Sequence, residues 1–274
     1  MADETKKQGE KVTARALLDR KVAGPRIAVV TAYDYTFARL ADAAGLDIVL
    51  VGDSLGMTMQ GHSSTLPVTL DEMVYHTRMV SRGVARAHVV ADMPFMSYQA
   101  SIEDGIRAAG RLIKEGGAEA VKLEGGVDVA PLIERLVSAG VPVMGHVGMT
   151  PQSVHAFGGF KVQGRTPERR AHILEDAHAV AAAGAYAMVI ESVPRALATE
   201  ITAAVPALTI GIGAGAGCDG QVLVMHDLLG LDPHWKPRFA RRYDTLGADA
   251  TRAFSAFVAD VRDGQFPTND ESFE

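Results

Sequence analysis

The 274-residue sequence predicts an α/β fold: a parallel (β/α)8 TIM barrel with a short N-terminal helix and a C-terminal helical tail. Three observations carry that prediction. Eight short apolar runs alternate with segments of helical spacing, as in repeated βαβ units. Six of the runs lead into polar, mostly ionisable residues, which is how such a barrel builds a site at its C-terminal mouth. The length suits one barrel, and eight strands in one chain favour a closed barrel over an open sheet.

Residues 1–12, opening MADETKKQGEK, lack the apolar core of a signal peptide and read as a disordered lead, with one domain over 13–274. A helix is expected over 13–21, before the Gly24-Pro25 break. Strand runs follow near 27–33, 48–53, 88–93, 120–124, 141–147, 187–192, 208–213 and 222–226, the last after only a short interval. Between them, FARLADAAG, LDEMVYHTRMVSRG, SIEDGIRAAGRLIKEGG, VAPLIERLVSAG, RRAHILEDAHAVAAAG and PRALATEITAAV have helical spacing. Gly45, Gly116, Gly140 and Gly184 fit left-handed C-caps. The stretch FARRYDTLGADATRAFSAFVADVRDG is expected to form a final helix against the barrel or a neighbouring subunit.

Composition narrows the function classes. The chain is 47% hydrophobic and 22% charged, as soluble enzymes are, and its net charge of −6 argues against nucleic-acid binding. No apolar stretch reaches the roughly 18 residues that span a bilayer. A single cysteine, Cys218, forms no intrachain disulfide, which points to an intracellular, cytoplasmic protein.

The run ends are the candidate site. IVLVGDS ends in Asp53 and Ser54, HVVADMP in Asp92, AVKLEGG in Lys122 and Glu124, VPVMGHVG in His146 and AMVIESV in Glu191; IAVVTAYD reaches Tyr33 and Asp34. Asp53 reads either as a metal ligand or as a helix cap or turn residue, and Asp92, near Pro94, is open to the same choice or to a loop role. Together, at equivalent strand ends, they favour metal. Lys122 and Glu124 share one side of a strand and read as a mouth ion pair or as ligands for a metal-chelated anion, with Gly125-Gly126 leaving the mouth open. His146 reads first as a hydrogen-bonded core or loop histidine, a preference that its place at a strand end narrows without reversing. Glu191 is the most apolar-flanked acid, so burial favours it as a general base; its bland alternative is an ion pair with Arg195 or Lys122. GIGAGAGCDGQ reads as a phosphate grip or a tight turn, and Cys218 within it has no base beside it. GGFKVQGRT (158–166) reads as a lid or an exposed loop.

LVGDSLGMTMQGHSSTLPVTLDEMVYHTR, ADMPFMSY, VKLEGG, GHVGMTPQSVHAFGGFKVQGR, VIESVP and TIGIGAGAGCDGQVLVMHDLLGL together resemble the ketopantoate hydroxymethyltransferase family, in order, from about residue 25 to DGQFP. The resemblance implies a phosphoenolpyruvate mutase-like barrel. It implies transfer of a hydroxymethyl group from 5,10-methylenetetrahydrofolate to 3-methyl-2-oxobutanoate (α-ketoisovalerate), giving ketopantoate for pantothenate and coenzyme A. Asp53 and Asp92 would bind Mg²⁺, with Glu124 in the same sphere through water. Asp53, Ser54, Asp92 and Lys122 would hold the keto acid, His146 would approach the new hydroxyl, and Glu191 would take the proton. A homodecamer of two five-membered rings is implied. His155 and Phe160 depart from the family pattern, which has Asn and Tyr there. The alternatives are a metal-dependent lyase or decarboxylase of a 2-oxo acid on the same barrel, or a non-catalytic metabolite-binding barrel. Cys218, in the glycine loop rather than a lid, argues against the lyase.

Overall fold

A computed structural model of the chain describes residues 9–274. The chain forms two compact units, one ending at Leu223 and one spanning Val224–Glu274, where the sequence reading drew a single domain over 13–274.

The first unit begins with α1 (Ala14–Ala23), β1 (Ile27–Thr31), α2 (Tyr35–Ala43), β2 (Ile48–Val51), the short α3 (Leu55–Thr58), α4 (Leu70–Gly83) and β3 (His88–Asp92). It continues with α5 (Ile102–Lys114), β4 (Ala120–Lys122), α6 (Ala130–Ser138), β5 (Val143–Gly148), the short α7 (Val154–Phe157) and α8 (Pro167–Ala182). It ends with β6 (Ala187–Glu191), α9 (Arg195–Ala204), β7 (Leu208–Ile212) and β8 (Gly220–Leu223). The eight strands are parallel and close in sequence order, β8 pairing with β1. In β2, β3, β4 and β7 every residue is buried, which is why those strands read as unbroken runs rather than alternating ones.

Helix ends are written locally. Thr69 and Glu72 form a reciprocal capping box at α4, Ser101 caps α5, and Thr166 caps α8 ahead of Pro167. At the other end of α5 the positive φ falls at Gly117 rather than Gly116, because Glu115 still continues the helical backbone. Val12 and Leu17 join a core cluster with the strand starts Ile27, Ile48, Ala120, Ala187 and Leu208, so α1 plugs the N-terminal end of the barrel. Burying Leu17 fully contributes about 1.5–3 kcal/mol.

Two expectations need correction. Residues 1–8 of the expected disordered lead lie outside the described residues, but its last residue, Val12, is buried and donates its N–H to Arg86 O at 2.8 Å. The eighth strand runs 220–223, not 222–226: the ladder starts at Gly220, opposite Ile27 and Ile210, where any Cβ would strike the Ile27 carbonyl. The apolar VLVM run misled because its last residue already opens α10 (Met225–Leu229) in the second unit. That unit also holds α11 (Leu246–Arg262), none of whose residues is buried. No helix among the described residues is long and apolar enough to cross a membrane.

Candidate active site

The strand ends bring the predicted residues to one mouth. Asp92 and Lys122 close β3 and β4 as register partners, and Glu191 ends β6 opposite Gly148. Asp53 lies two residues beyond β2, and its backbone N–H donates to Asp92 Oδ2 at 3.1 Å. After β4 the chain turns at Gly125 (φ 130°), whose N–H donates to His146 O at 3.1 Å, carrying Glu124 alongside His146. A Cβ on Gly126 would overlap the Asp176 side chain of α8, so the glycine pair serves this close approach rather than an open mouth.

Asp53, Asp92, Lys122, Glu124 and His146 are all buried, and Glu191 is 16% exposed. Lys122 Nζ pairs with Asp92 Oδ1 at 2.6 Å, not with Glu124. His146 bridges two acids at ion-pair range, Nδ1 to Glu124 Oε1 at 3.4 Å and Nε2 to Glu191 Oε2 at 3.3 Å, without an aligned hydrogen bond to either. The ionic neighbour of Glu191 is therefore His146, not Arg195 or Lys122. Ser54 Oγ meets the hydroxyl of buried Tyr33 at 2.9 Å. The cap reading of Asp53 fails: Ser54 is the N-cap of α3 and no side chain caps that helix, while Asp53 Oδ2 accepts from Gln152 Nε2 at 2.9 Å.

Burial, and then the charges of Asp92 and Glu124, push the Asp53 carboxyl well above the usual range. Burial opposes the Lys122 ammonium, but Asp92, Glu124 and Asp53 outweigh it and hold the amine protonated. For His146, burial and the Lys122 charge act against the cation, while Glu124 and Glu191 more than offset them and leave the imidazole at about 9. Burial first, and then crowding by Asp92 and Glu124, pushes Asp53 toward protonation, and a divalent cation relieves the crowding. As the side chains stand, no three His, Cys, Asp or Glu groups among the described residues converge as a ligand set. Mg²⁺ needs none: it binds through one or two carboxylates and fills its octahedron with water and substrate oxygens. Asp53 and Asp92, linked by the Asp53 N–H, are the carboxylates that could hold such an ion.

Sequence reasoning missed Gln152 and Tyr98. Both are buried, and Tyr98 OH accepts from Glu124 N at 3.0 Å and lies 2.9 Å from Gln152 Oε1. Their one signal was their place inside the motifs ADMPFMSY and GMTPQSV. Cys218 is buried just before β8 starts, beside Asp219, which accepts from Thr209 N at 2.8 Å and from Lys21 Nζ at 2.7 Å; the glycine loop is a braced turn. Within 158–166, Gln163 N donates to Ser192 O at 2.9 Å, next to Glu191.

Comparison with known proteins bears on this arrangement. A family model described as ketopantoate hydroxymethyltransferase matches residues 11–269. A protein of Anaeromyxobacter sp. (strain K) named 3-methyl-2-oxobutanoate hydroxymethyltransferase is 57% identical over 266 residues, 96% of this chain and 87% of that protein. One of the same name from Moorella thermoacetica is 54% identical, covering 97% of this chain and 99% of that protein. Among solved structures, phosphoenolpyruvate phosphomutase from Streptomyces platensis subsp. rosaceus superposes with TM-score 0.63 at 18% identity, covering 96% of this chain and 92% of that one. 2,3-Dimethylmalate lyase, a PEP mutase/isocitrate lyase superfamily member, gives 0.59 at 17%, covering 95% and 91%. At such identities these structures bear on the fold alone, and they agree with the barrel.

Proposed function

Because this chain belongs to the ketopantoate hydroxymethyltransferase family, we propose that it converts 3-methyl-2-oxobutanoate to ketopantoate, with 5,10-methylenetetrahydrofolate as one-carbon donor and Mg²⁺ as cofactor. Asp53 and Asp92 would hold the Mg²⁺ directly and Glu124 through water; when bound, the ion supplies Lewis acidity at the keto acid's oxygens.

The chain's own groups do the rest. Lys122, already protonated beside Asp92, and Ser54, steadied by Tyr33, offset charge on the substrate carboxylate and keto oxygen. Glu191 takes the proton from C3 of the keto acid, moving that electron pair toward the ketone. C3 then bonds to the folate methylene carbon as one of that carbon's two C–N bonds breaks, water displaces the second nitrogen and supplies the hydroxyl oxygen, and tetrahydrofolate leaves with both nitrogens protonated. His146, between Glu191 and Glu124, orients both acids and approaches the new hydroxyl. A homodecamer in the cytoplasm belongs to the same reading.

The observation that carries the reading is the junction, at one barrel mouth, of the Asp53–Asp92–Glu124 acids with Lys122 on one side and the His146–Glu191 pair on the other. The test is incubation of purified protein with the keto acid, methylenetetrahydrofolate and Mg²⁺, with and without EDTA, and detection of ketopantoate by mass. Product that EDTA abolishes is expected. Folded protein that forms none with Mg²⁺ present overturns the proposal.

A further inference from the structure

Gln152 spends every polar atom of its amide inside the mouth. Nε2 donates to Asp53 Oδ2 and to Met93 O, each at 2.9 Å, and Oε1 accepts from Tyr98 OH at 2.9 Å and from Gln99 Nε2 at 3.0 Å. Its backbone N–H donates to Glu124 Oε2 at 2.9 Å. The Met93 carbonyl can only accept, so it fixes which end of the amide is nitrogen. The residue is 6% exposed and sits on a 3₁₀ turn (Pro151–Ser153) directly after β5. From there it reaches the chain just beyond β2, β3 and β4 at once. Tyr98 braces it, because the same hydroxyl accepts from Glu124 N at 3.0 Å.

An uncharged side chain with two donors and two acceptors is what this place demands. A carboxylate would add a fourth acid beside Asp53, and an ammonium would have no acceptor for Tyr98 or Gln99. Buried carboxylates otherwise choose among rotamers, and each choice lost on binding lowers affinity. The Gln152 amide removes that choice for Asp53 by holding its Oδ2, while the backbone N–H of the same residue holds Glu124 Oε2.

We propose that the Gln152 side chain, braced by Tyr98, is the positioning residue of the cation site, pre-orienting the Asp53 carboxylate before the divalent ion and keto acid arrive. This rests on the reading of Asp53 as a ligand of the cation. Partners of this kind behind metal ligands are worth about 10–100-fold in metal affinity.

The test titrates Mn²⁺, as a paramagnetic stand-in for Mg²⁺, into wild type, Q152M, Y98F and D53N by EPR, with circular dichroism to verify folding. KM for the keto acid is measured beside it. Folded Q152M should bind Mn²⁺ about 10–100-fold more weakly and raise KM, with Y98F shifted less in the same direction. Wild-type Mn²⁺ affinity within twofold in folded Q152M, with D53N impaired, overturns the positioning role and leaves the cation site standing. Should Q152M not fold, unchanged affinity in Y98F overturns it. If D53N binds Mn²⁺ as wild type does, the cation reading itself falls and takes the proposal with it.

Discussion

Lys122 Nζ lies 2.6 Å from Asp92 Oδ1, with both side chains 5% exposed at adjacent strand ends. A buried pair of this kind is costly to break from one side, since the remaining charge has neither water nor partner; the typical loss is about 3–5 kcal/mol. Lys122→Met should lose stability on that scale, because it leaves Asp92 beside Asp53 and Glu124 uncompensated. The double variant with Asp92→Asn should recover much of the loss. Urea unfolding of the four proteins checks this, and additivity within about 0.5 kcal/mol would show the two residues to be independent.

Glu191→Gln removes the proposed base while keeping the side-chain shape. In D₂O with Mg²⁺ and no folate, wild type should exchange the C3 proton of 3-methyl-2-oxobutanoate, and the variant should do so about 10²–10⁴-fold more slowly. Keto-acid affinity, read by calorimetry, should change little. Exchange at the wild-type rate removes Glu191 from the role.

Gly148 stands opposite Glu191 in the β5–β6 ladder with φ 95°, and a Cβ there would run into the Glu191 carbonyl. Gly148→Ala should cost about 1–3 kcal/mol in backbone strain alone and displace Glu191 with its carboxylate. A lowered melting temperature together with lowered turnover is expected. Wild-type values for both would refute the steric account.

Glu119 accepts from Val89 N at 2.9 Å and pairs with Lys11 at 2.8 Å, with His88 Nδ1 at 3.4 Å. Burial alone would raise its carboxyl, but His88, Lys11 and Val89 outweigh that and bring it from 4.5 to about 2. The folded state thus binds fewer protons than the unfolded one between those values. The stabilisation is present in full above about pH 4.5 and is lost as pH falls toward about 2. Because the carboxylate is a third exposed, Glu119→Gln should cost only about 1 kcal/mol at pH 7 after solvent screening. The gap to wild type in urea midpoint should shrink by pH 3; a gap independent of pH would count against the ion pairs.

Much of this was legible in the chain. Strand starts at 27, 48, 88, 120, 187 and 208 were read correctly, because unbroken β-branched runs mark strands buried on both faces. The acids at the run ends were legible for the same reason: parallel strands deliver their C-terminal residues to one mouth. The eighth strand was displaced because Gly220 and Gln221 look like loop, while the apolar run beyond them enters a helix. Gln152 was missed because it lies on no strand, and its partners Asp53, Met93, Tyr98 and Glu124 stand between 28 and 99 residues away.

By itself, then, the sequence determined the barrel and the acids that line its mouth, since hydrophobic period and strand ends are local properties of the chain. Tertiary structure decided the pairings: Lys122 with Asp92 rather than Glu124, His146 rather than Arg195 against Glu191, and one glutamine reaching across three strand ends. Such pairings depend on distances of about 3 Å between side chains far apart in the chain, which local pattern leaves open and closure of the barrel sets.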